Sequence, residues 1–352
     1  MHKLIYIFYL LLVFIIIDFS FSKLFIDDEI SRNKNIRCSH PYYHHDLIPN
    51  ATAKYTWGNK EYRINTNNLG FKDNRNNTVS LKKSTNIKRL LLIGDSFVEG
   101  IGVEQEDSFH ELLNKEFSPT YEILNAGVVS YSPKLMYHKL KYLLEVKGLE
   151  LDEIWVFVDL TDVFDEIVYE SFKPEYLGLS SSDIFRSKVY AFALNNSFLI
   201  NSVYNRIKKI NKRFWLQGNE GNELDGLGNY DRWTYDQSLY EKSKIGQKLV
   251  ENYTHKIIEL CKAHDLNLSF VIFPRPNQII EEYELRYKNR HVQFWEEICS
   301  EENVRLINLW DNFFVDTPEV TVNKYFIPGD MHWNEEGHSY VYSILKTIIN
   351  AK

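Results

Sequence analysis

The sequence predicts an α/β protein built on a parallel sheet with helices on both faces. Five short apolar runs have the length and composition of buried strands, and helical stretches separate most of them. Strands covered on both faces are apolar along their whole length, and strands that alternate with helices form parallel sheets. We therefore expect the doubly wound architecture, with a five-stranded sheet.

The first predicted strand is Lys88 to Ile93, an apolar run that ends at Gly94. The other predicted strands are Tyr121 to Asn125, Ile154 to Val158, Leu268 to Phe273 and Val304 to Leu309. Spacing of apolar residues and capping residues predict helices over Asp107 to Phe117, Pro133 to about Val146, and Glu335 to Ile349.

A long segment, residues 163–237, interrupts this alternation between the third and fourth strands. It contains an amphipathic stretch from Phe198 to Ile210 and a glycine-rich loop from Gly218 to Asn229. That loop has no strand before it and no Lys-Ser/Thr after it, which argues against a phosphate-binding loop. We interpret the segment as an insertion that forms a lid or one wall of a cleft.

The first 26 residues predict a signal peptide or a membrane anchor. Leu4 to Ile17 is an unbroken apolar run, which as a helix spans about 21 Å. That length is typical of the apolar region of a secretory signal, but apolar residues resume up to Ile26, which equally fits an uncleaved anchor. We expect a membrane-anchored or secreted protein whose globular part lies outside the cytoplasm, in the periplasm or cell envelope.

Composition excludes other classes of protein. The net charge is −7, and a chain that binds nucleic acid as its main partner needs clustered positive charge. Three cysteines are too few for a disulfide scaffold, and no spacing of Cys and His predicts structural zinc. Residues 27–88 are polar with little periodicity, and we expect them to form an extension that packs on a core domain of residues 89–352.

Chemically reactive residues follow three of the predicted strands. Gly94-Asp95-Ser96 follows the first, Asn125-Ala126-Gly127 the second, and Thr161-Asp162 lies just after the third. In an open parallel sheet ligands bind outside the carboxyl ends of the strands, so these residues are expected to meet at one edge. A serine at such a turn exposes its hydroxyl group, and glycine lets the backbone approach a ligand closely.

A serine hydroxyl needs a base to remove its proton, and the base needs a partner that fixes its tautomer. His332 is the candidate base for Ser96, and Asp330, two residues earlier, is the candidate partner. The oxyanion of the reaction also needs hydrogen-bond donors. The candidates are Ser96 N–H, Gly127 N–H and the Thr161 hydroxyl group.

Together these residues resemble the SGNH/GDSL hydrolase superfamily. Gly-Asp-Ser at 94–96 resembles its first block, Gly127 its second, and Asp162 the end of its third. Asp330-x-His332 resembles the last block, and residues 67–73 resemble a segment found ahead of the serine in envelope-associated members. The resemblance implies a three-layer flavodoxin-like fold and ester hydrolysis or acyl transfer through an acyl-serine, with no metal or organic cofactor.

Two departures from the family pattern refine this expectation. Thr161 stands where the family usually has an asparagine that donates to the oxyanion. The last block is Asp-x-His, as in the alginate-acetylation branch, whereas Asp-x-x-His is common elsewhere. The resemblance thus implies acyl, above all acetyl, chemistry on an exported polysaccharide or glycoconjugate.

Further candidates and alternatives remain open at this stage. Trp333 and Arg275 are candidate substrate contacts, because one adjoins His332 and the other follows the fourth strand. The hydrolase and the transferase are equally compatible with the sequence. The alternatives are a catalytically weak polysaccharide-binding or assembly subunit, for which Thr161 is the hint, and a lipolytic esterase whose insertion shapes an acyl groove.

Overall fold

The computed structural model describes residues 2–25, 36–57, 60–73, 77–174, 197, 199, 230–283 and 289–351. The strands in these ranges are β1 (Arg37–His40), β2 (His44–Leu47), β3 (Thr52–Trp57), β4 (Lys60–Asn65), β5 (Lys88–Ile93), β6 (Tyr121–Asn125), β7 (Glu153–Val158), β8 (Asn267–Ile272) and β9 (Arg305–Asn308).

The helices of the same ranges include one very short one, α2, that follows the first strand of the central sheet. They are α1 (His2–Phe25), α2 (Ser96–Glu99), α3 (Phe109–Phe117), α4 (Pro133–Lys141), α5 (Asp162–Tyr169), α6 (Gln237–Ala263), α7 (Pro276–Glu282), α8 (Arg290–Glu301), α9 (Pro318–Tyr325) and α10 (Glu335–Asn350). A π-helical turn, Tyr142–Val146, continues α4 to the end predicted for that helix.

The five predicted strands form one parallel sheet in the order β6-β5-β7-β8-β9. Alternate side chains of β5 enter different cores: Leu91 and Ile93 join one apolar cluster, and Leu90 and Leu92 join the other. Both faces of the sheet are therefore covered, as apolar parallel strands require. The three-layer α/β/α fold predicted from the sequence is confirmed.

Helices close each face of the sheet through their apolar sides. On one face, α4, α6 and α8 contribute Leu135, Ile257 and Trp295 to the core. On the other, α3 and α10 contribute Leu113 and Leu345. Strand β5 lies inside the sheet, between β6 and β7. The turn that follows β5 is therefore flanked by the carboxyl ends of both neighbouring strands.

Residues 36–73 form two antiparallel hairpins, β1–β2 and β3–β4, ahead of the sheet. Their apolar residues Leu47, Tyr62, Ile64 and Phe71 are buried in the same cluster as one face of the sheet. Lys72 is fully buried, and its ammonium group donates to the carbonyl oxygens of the loop after α2. These hairpins thus bring N-terminal residues next to the turn after β5.

The chain divides into two units, Met1–Asn35 with Glu175–Leu227, and Ile36–Pro174 with Gly228–Lys352. The second unit contains the sheet and both ends of the predicted insertion, because α5 packs against α6 there. The amphipathic stretch and the glycine-rich loop of the predicted lid lie outside the described residues, apart from Leu199.

The first unit contains α1, in which the predicted apolar run is helical. The side chain of Asp18 in α1 accepts a hydrogen bond from the backbone N–H of Leu199, at 3.0 Å. Within the part of the chain that the structure describes, no helix has the length and apolar character that a membrane crossing requires.

Candidate active site

Ser96, His332 and Asp330 meet at the carboxyl edge of the central sheet. Ser96 is the first residue of α2, directly after β5, and the other two residues lie in the loop between α9 and α10. The Ser96 hydroxyl and the His332 Nε2 atom are 2.8 Å apart, although the residues are 236 positions apart in sequence. The His332 Nδ1 atom lies 2.5 Å from Asp330 Oδ1.

The tautomer of His332 follows from its partners. An ionised carboxylate only accepts hydrogen bonds, so Nδ1 carries the proton that it shares with Asp330. Nε2 is then free to accept the hydrogen of the Ser96 hydroxyl. This is the orientation that a general base for serine requires.

Asp330 is held as a carboxylate by several donors. Its Oδ1 atom also accepts the backbone N–H of His332, at 2.9 Å, and its Oδ2 atom accepts the indole N–H of Trp57, at 2.9 Å. Burial opposes the charge of Asp330, but the hydrogen bonds and charge of His332, with help from Trp57, outweigh it and lower its pKa to about 2.

The turn after β5 positions Ser96. Asp95 caps α2 by accepting the backbone N–H of Phe97 at 2.9 Å, and Gly100 ends the helix in the left-handed conformation, with φ of 73°. This single helical turn holds Ser96 at its first position, where only 8% of the surface of the residue is exposed. Within the described ranges, no hydrogen bond links the Ser96 backbone N–H to another part of the chain, which agrees with its prediction as an oxyanion donor.

Gly127 lies beside α2, and its N–H has a partner. That N–H donates to the side-chain Oδ1 of Asn125 at 3.0 Å. A Cβ at Gly127 would lie 2.6 Å from both the backbone N of Glu99 and the Cβ of Val98, so only glycine allows this approach. The structure thus brings Gly127 next to α2 with its N–H engaged, and a role in the oxyanion hole requires that N–H to be shared.

The Thr161 hydroxyl group also has partners other than a substrate. It donates to Asp159 Oδ2 at 2.6 Å and accepts a hydrogen bond from Arg275 Nη2 at 3.0 Å. A hydroxyl group has one hydrogen, and here that hydrogen points at a carboxylate. In this structure the Thr161 hydroxyl group is therefore not available to donate to an oxyanion. It differs in this from the asparagine that is usual at this position in the family that the sequence resembles.

Residues of α2 and β2 form hydrogen bonds to Val129, in the loop after Gly127. The backbone N–H of Val129 donates to Glu99 Oε2 at 2.8 Å, and its carbonyl oxygen is 2.8 Å from His45 Nε2. Arg37 of β1 pairs with the same Glu99, through Nη1 at 2.8 Å. Burial lowers the pKa of His45 to about 4, so its ring is neutral and donates the Nε2 hydrogen to Val129.

Buried carboxyl groups surround a single guanidinium group next to the site. Burial opposes the charge of Asp159, but the positive charge and hydrogen bonds of Arg275 outweigh it and lower its pKa. Burial, reinforced by the negative charge of Asp159, raises the pKa of Asp95 to about 8 and that of Asp165 to about 7. Among the described residues, no three His, Cys, Asp or Glu side chains are grouped so as to hold a metal ion.

The two predicted substrate contacts lie inside the protein. Trp333 is 0% exposed and packs between Phe97 and Phe273, with ring centroids 4.8 and 4.9 Å away. Arg275 is 4% exposed, and its guanidinium group is paired with Asp159. Both predictions need correction for a physical reason: apolar packing and an internal ion pair occupy the groups that a substrate would touch.

Sequence reasoning missed the role of Trp57 at this site. Residues 27–88 show little periodicity, yet Trp57 ends a regular strand, β3, and contacts Asp330. A signal was available: Thr52 to Trp57 and Lys60 to Asn65 are separated by Gly-Asn, a two-residue turn typical of β-hairpins.

Comparison with known proteins gives matches in structure. No family model matches the chain. No curated protein matches it in sequence either. A lipolytic protein of the G-D-S-L family from Veillonella parvula is 11% identical, with a TM-score of 0.42, over 75% of this chain and 98% of that chain.

Two esterases match to a similar degree. EstA from Pseudoalteromonas sp. is 13% identical, with a TM-score of 0.41, over 75% of this chain and 99% of that chain. Axe2, an acetylxylan esterase from Geobacillus stearothermophilus, is 11% identical, with a TM-score of 0.40, over 73% of this chain and 92% of that chain.

The order of the sheet, the residues at the strand ends and the geometry of Ser96, His332 and Asp330 agree with the expectations from the sequence. The strand order, the turn that carries Ser96 and the loop that carries Asp330 and His332 are those that the sequence resemblance implied. The chain thus has the α/β/α fold, and the arrangement of Ser96, His332 and Asp330, that its sequence resemblance to the SGNH/GDSL hydrolases implied.

Proposed function

We propose that this protein is a serine-dependent ester hydrolase or O-acyltransferase that acts on acyl, above all acetyl, groups of an exported or envelope polysaccharide or glycoconjugate. One observation carries the proposal: the unbroken hydrogen-bonded series from the Ser96 hydroxyl through His332 to Asp330. Each member has the partner that nucleophilic catalysis by serine needs.

The reaction follows from these atoms. The Ser96 Oγ atom attacks the acyl carbonyl carbon while its proton moves to His332 Nε2. The tetrahedral intermediate collapses, the bond to the alcohol oxygen breaks, and that oxygen takes the proton from His332. Water or a sugar hydroxyl group then attacks the acyl-serine, giving up its proton to Nε2, and Ser96 recovers its proton when the acyl group leaves.

Asp330 holds the imidazole ring and stabilises its positive charge during both steps. With a pKa of about 2, its carboxylate stays ionised across the neutral range. The Ser96 N–H is the donor that stands ready for the oxyanion. One oxyanion donor is worth about 10²- to 10³-fold in rate when it is aimed at the developing charge.

Mutation of the triad tests this function. On a chromogenic acetyl ester, Ser96→Ala and His332→Ala are each expected to lower turnover by about 10⁴-fold or more. A fluorophosphonate probe should label the wild type and not Ser96→Ala. Ser80→Ala, which changes an exposed serine, is the matched control and should behave as wild type. Equal hydrolysis by the wild type and Ser96→Ala would overturn the enzyme proposal.

The acyl and acceptor preferences are proposals that rest on the Asp-x-His spacing at 330–332. Acyl-chain profiling of the purified protein compares acetyl with long-chain esters, with and without oligosaccharide acceptors. Preference for acetyl esters supports the polysaccharide proposal, and preference for long chains supports a lipolytic esterase. Acyl transfer to the oligosaccharide, rather than to water, identifies a transferase.

A second candidate, a catalytically weak polysaccharide-binding or assembly subunit, is favoured by the occupied donors at Gly127 and Thr161. It predicts slow labelling of Ser96 by the probe together with measurable binding of oligosaccharide. We further propose that the globular part lies outside the cytoplasm, with residues 1–26 as signal peptide or membrane anchor. Protease accessibility in intact cells tests that location.

A further inference from the structure

Trp57 lies where the second N-terminal hairpin reaches the loop of the triad. It is the last residue of β3, and its partner across the hairpin is Lys60, the first residue of β4. Lys60 forms an ion pair with Glu335, at 2.5 Å from Oε1, and Glu335 is the first residue of α10. The end of this hairpin is therefore fixed on both sides of His332, at Asp330 and at Glu335.

Trp57 completes the hydrogen bonding of the triad carboxylate. Both bonds from His332 go to Oδ1 of Asp330, and the Trp57 indole N–H serves Oδ2. Donors at one oxygen hold that oxygen in place, and a donor at the second oxygen also restrains rotation about the Cβ–Cγ bond. Indole N–H is a donor that does not titrate, so this constraint is the same at every working pH.

The Trp57 ring also contacts the histidine of the triad. Its centroid is 5.3 Å from that of His332, and the ring planes are 89° apart, which is the edge-to-face arrangement. One side chain thus restrains two members of the triad. The hydrogen bond restrains the carboxylate, and the ring restrains the imidazole.

The loop after α2 borders the Trp57 ring at Gly102. Gly102 has φ of +80°, and a Cβ there would lie 2.5 Å from Ile327 Cδ1 and 3.8 Å from Trp57 Cδ1. Ile327, three residues before Asp330, is 5% exposed. The absence of a side chain at Gly102 therefore leaves room for Ile327, next to the ring of Trp57.

We propose that Trp57 is a positioning residue of the active site, so that the end of strand β3 contributes one residue to the catalytic unit. The proposal rests on the function proposed above, since it assigns Trp57 a role through Asp330. It goes beyond that function because the residue comes from outside the strand-end blocks that carry the family resemblance.

Replacement of the donor alone tests the proposal. Trp57→Phe keeps an aromatic ring and removes the N–H, and Trp57→β-(3-benzothienyl)alanine keeps the full shape and replaces the N–H by sulfur. A hydrogen bond to a charged group is expected to be worth about 10- to 100-fold in rate. We expect turnover of the acetyl ester to fall by that factor in both variants, with KM within about twofold of wild type.

Tyr55→Phe is the matched control, because Tyr55 lies on the same strand and its ring packs on Tyr62, 6.1 Å away. It should leave kcat unchanged. The low-field proton resonance of the His332–Asp330 hydrogen bond should move in both Trp57 variants and stay in Tyr55→Phe. If Trp57→Phe does not fold, the isosteric variant decides alone.

A double-mutant cycle separates positioning from general damage. In an Asp330→Ala background, loss of the Trp57 N–H should change turnover by less than about twofold, because the acceptor of its hydrogen bond is gone. Unchanged kcat in both Trp57 variants, with activity still dependent on Ser96, would overturn this proposal alone. Activity that does not depend on Ser96 would instead overturn the proposed function.

Discussion

At the scale of single residues, the departure from the family pattern at Thr161 has a structural explanation. Arg275 and Asp159 are both buried, and the threonine hydroxyl bridges them by accepting from one and donating to the other. The longer amide of an asparagine would have to compete with that ion pair for the same space. The Thr161 hydroxyl group therefore bonds to the ion pair, and under the proposed function the Ser96 N–H is the remaining candidate donor for the oxyanion.

Thr161→Val tests this interpretation, since valine keeps the shape and removes the hydroxyl group. We expect turnover to change by less than about fivefold, because the lost bonds are internal, whereas loss of an oxyanion donor costs about 10²- to 10³-fold. The free energy of unfolding should fall by about 1–3 kcal/mol, because two buried partners lose a hydrogen bond. If turnover instead fell by about 10²-fold or more at unchanged stability, Thr161 would be an oxyanion donor.

At the scale of elements, two helices approach each other tightly where the chain leaves the central sheet after β7 and returns to it before β8. Helix α5 follows β7, and α6 precedes β8, so the two helices hold both ends of the segment predicted as an insertion. They meet at Gly246 of α6, which is buried. A Cβ at this position would lie 1.6 Å from the Val163 carbonyl oxygen.

Gly246→Ala should therefore force the two helices apart. Overpacking of a fitted contact costs about 1–3 kcal/mol, and more where backbone blocks the new atom, as it does here. Urea unfolding measures the loss. Lys248→Ala, an exposed position on the same helix, is the control and should stay within about 0.5 kcal/mol of wild type. An equal effect of the two substitutions would show that the crossing is not tight.

At the scale of the whole molecule, buried carboxyl groups make stability depend on pH. Burial first of all raises the pKa of Asp95 to about 8 and those of Asp165, Glu166 and Glu282 to about 7. These folded-state values lie above those of the unfolded chain, so the folded protein holds more protons. These groups stabilise the folded state fully at a pH below their pKa in the unfolded chain. That stabilisation is lost as the pH rises through their higher pKa in the folded protein.

We predict that the free energy of unfolding falls between about pH 7 and 8. In this window histidines of lowered pKa, such as His45 and His110, are neutral in the folded state and mostly neutral in the unfolded state. The carboxyl groups therefore dominate the pH dependence of the free energy of unfolding. That free energy changes by about 1.4 kcal/mol per pH unit for each proton that only the folded state keeps. Urea unfolding across the window measures the slope.

Asp95→Asn is the informative variant for this measurement. Asparagine retains the side-chain oxygen that accepts from Phe97 N–H, and it cannot ionise. The variant should have a smaller slope and should be more stable than wild type at the alkaline end of the window. A stability that rises with pH over the same window in the wild type would contradict the assignment of protonated carboxyl groups.

Local patterns in the sequence were sufficient for the sheet and for most of the triad. Apolar runs such as Lys88 to Ile93 form strands because a buried strand needs no polar face, and turn residues mark their ends. The partnership of Asp330 with His332 is local, since the residues are two apart in one loop. Ser96 lies at the carboxyl edge because it follows a parallel strand, and the loop between α9 and α10 reaches it there.

Contacts between distant side chains were decided only by the tertiary structure. Three of these contacts join elements that are far apart in the sequence, so no local pattern predicts them. They are the packing around Trp333, the pairing of Arg275 with Asp159 and the hydrogen bond from Trp57 to Asp330. Hydrophobic periodicity and turn chemistry act over a few residues, so the sequence determined the strands, the edge and the reacting groups. Which donors and charges face those groups depends on packing between elements, and the folded chain alone sets it.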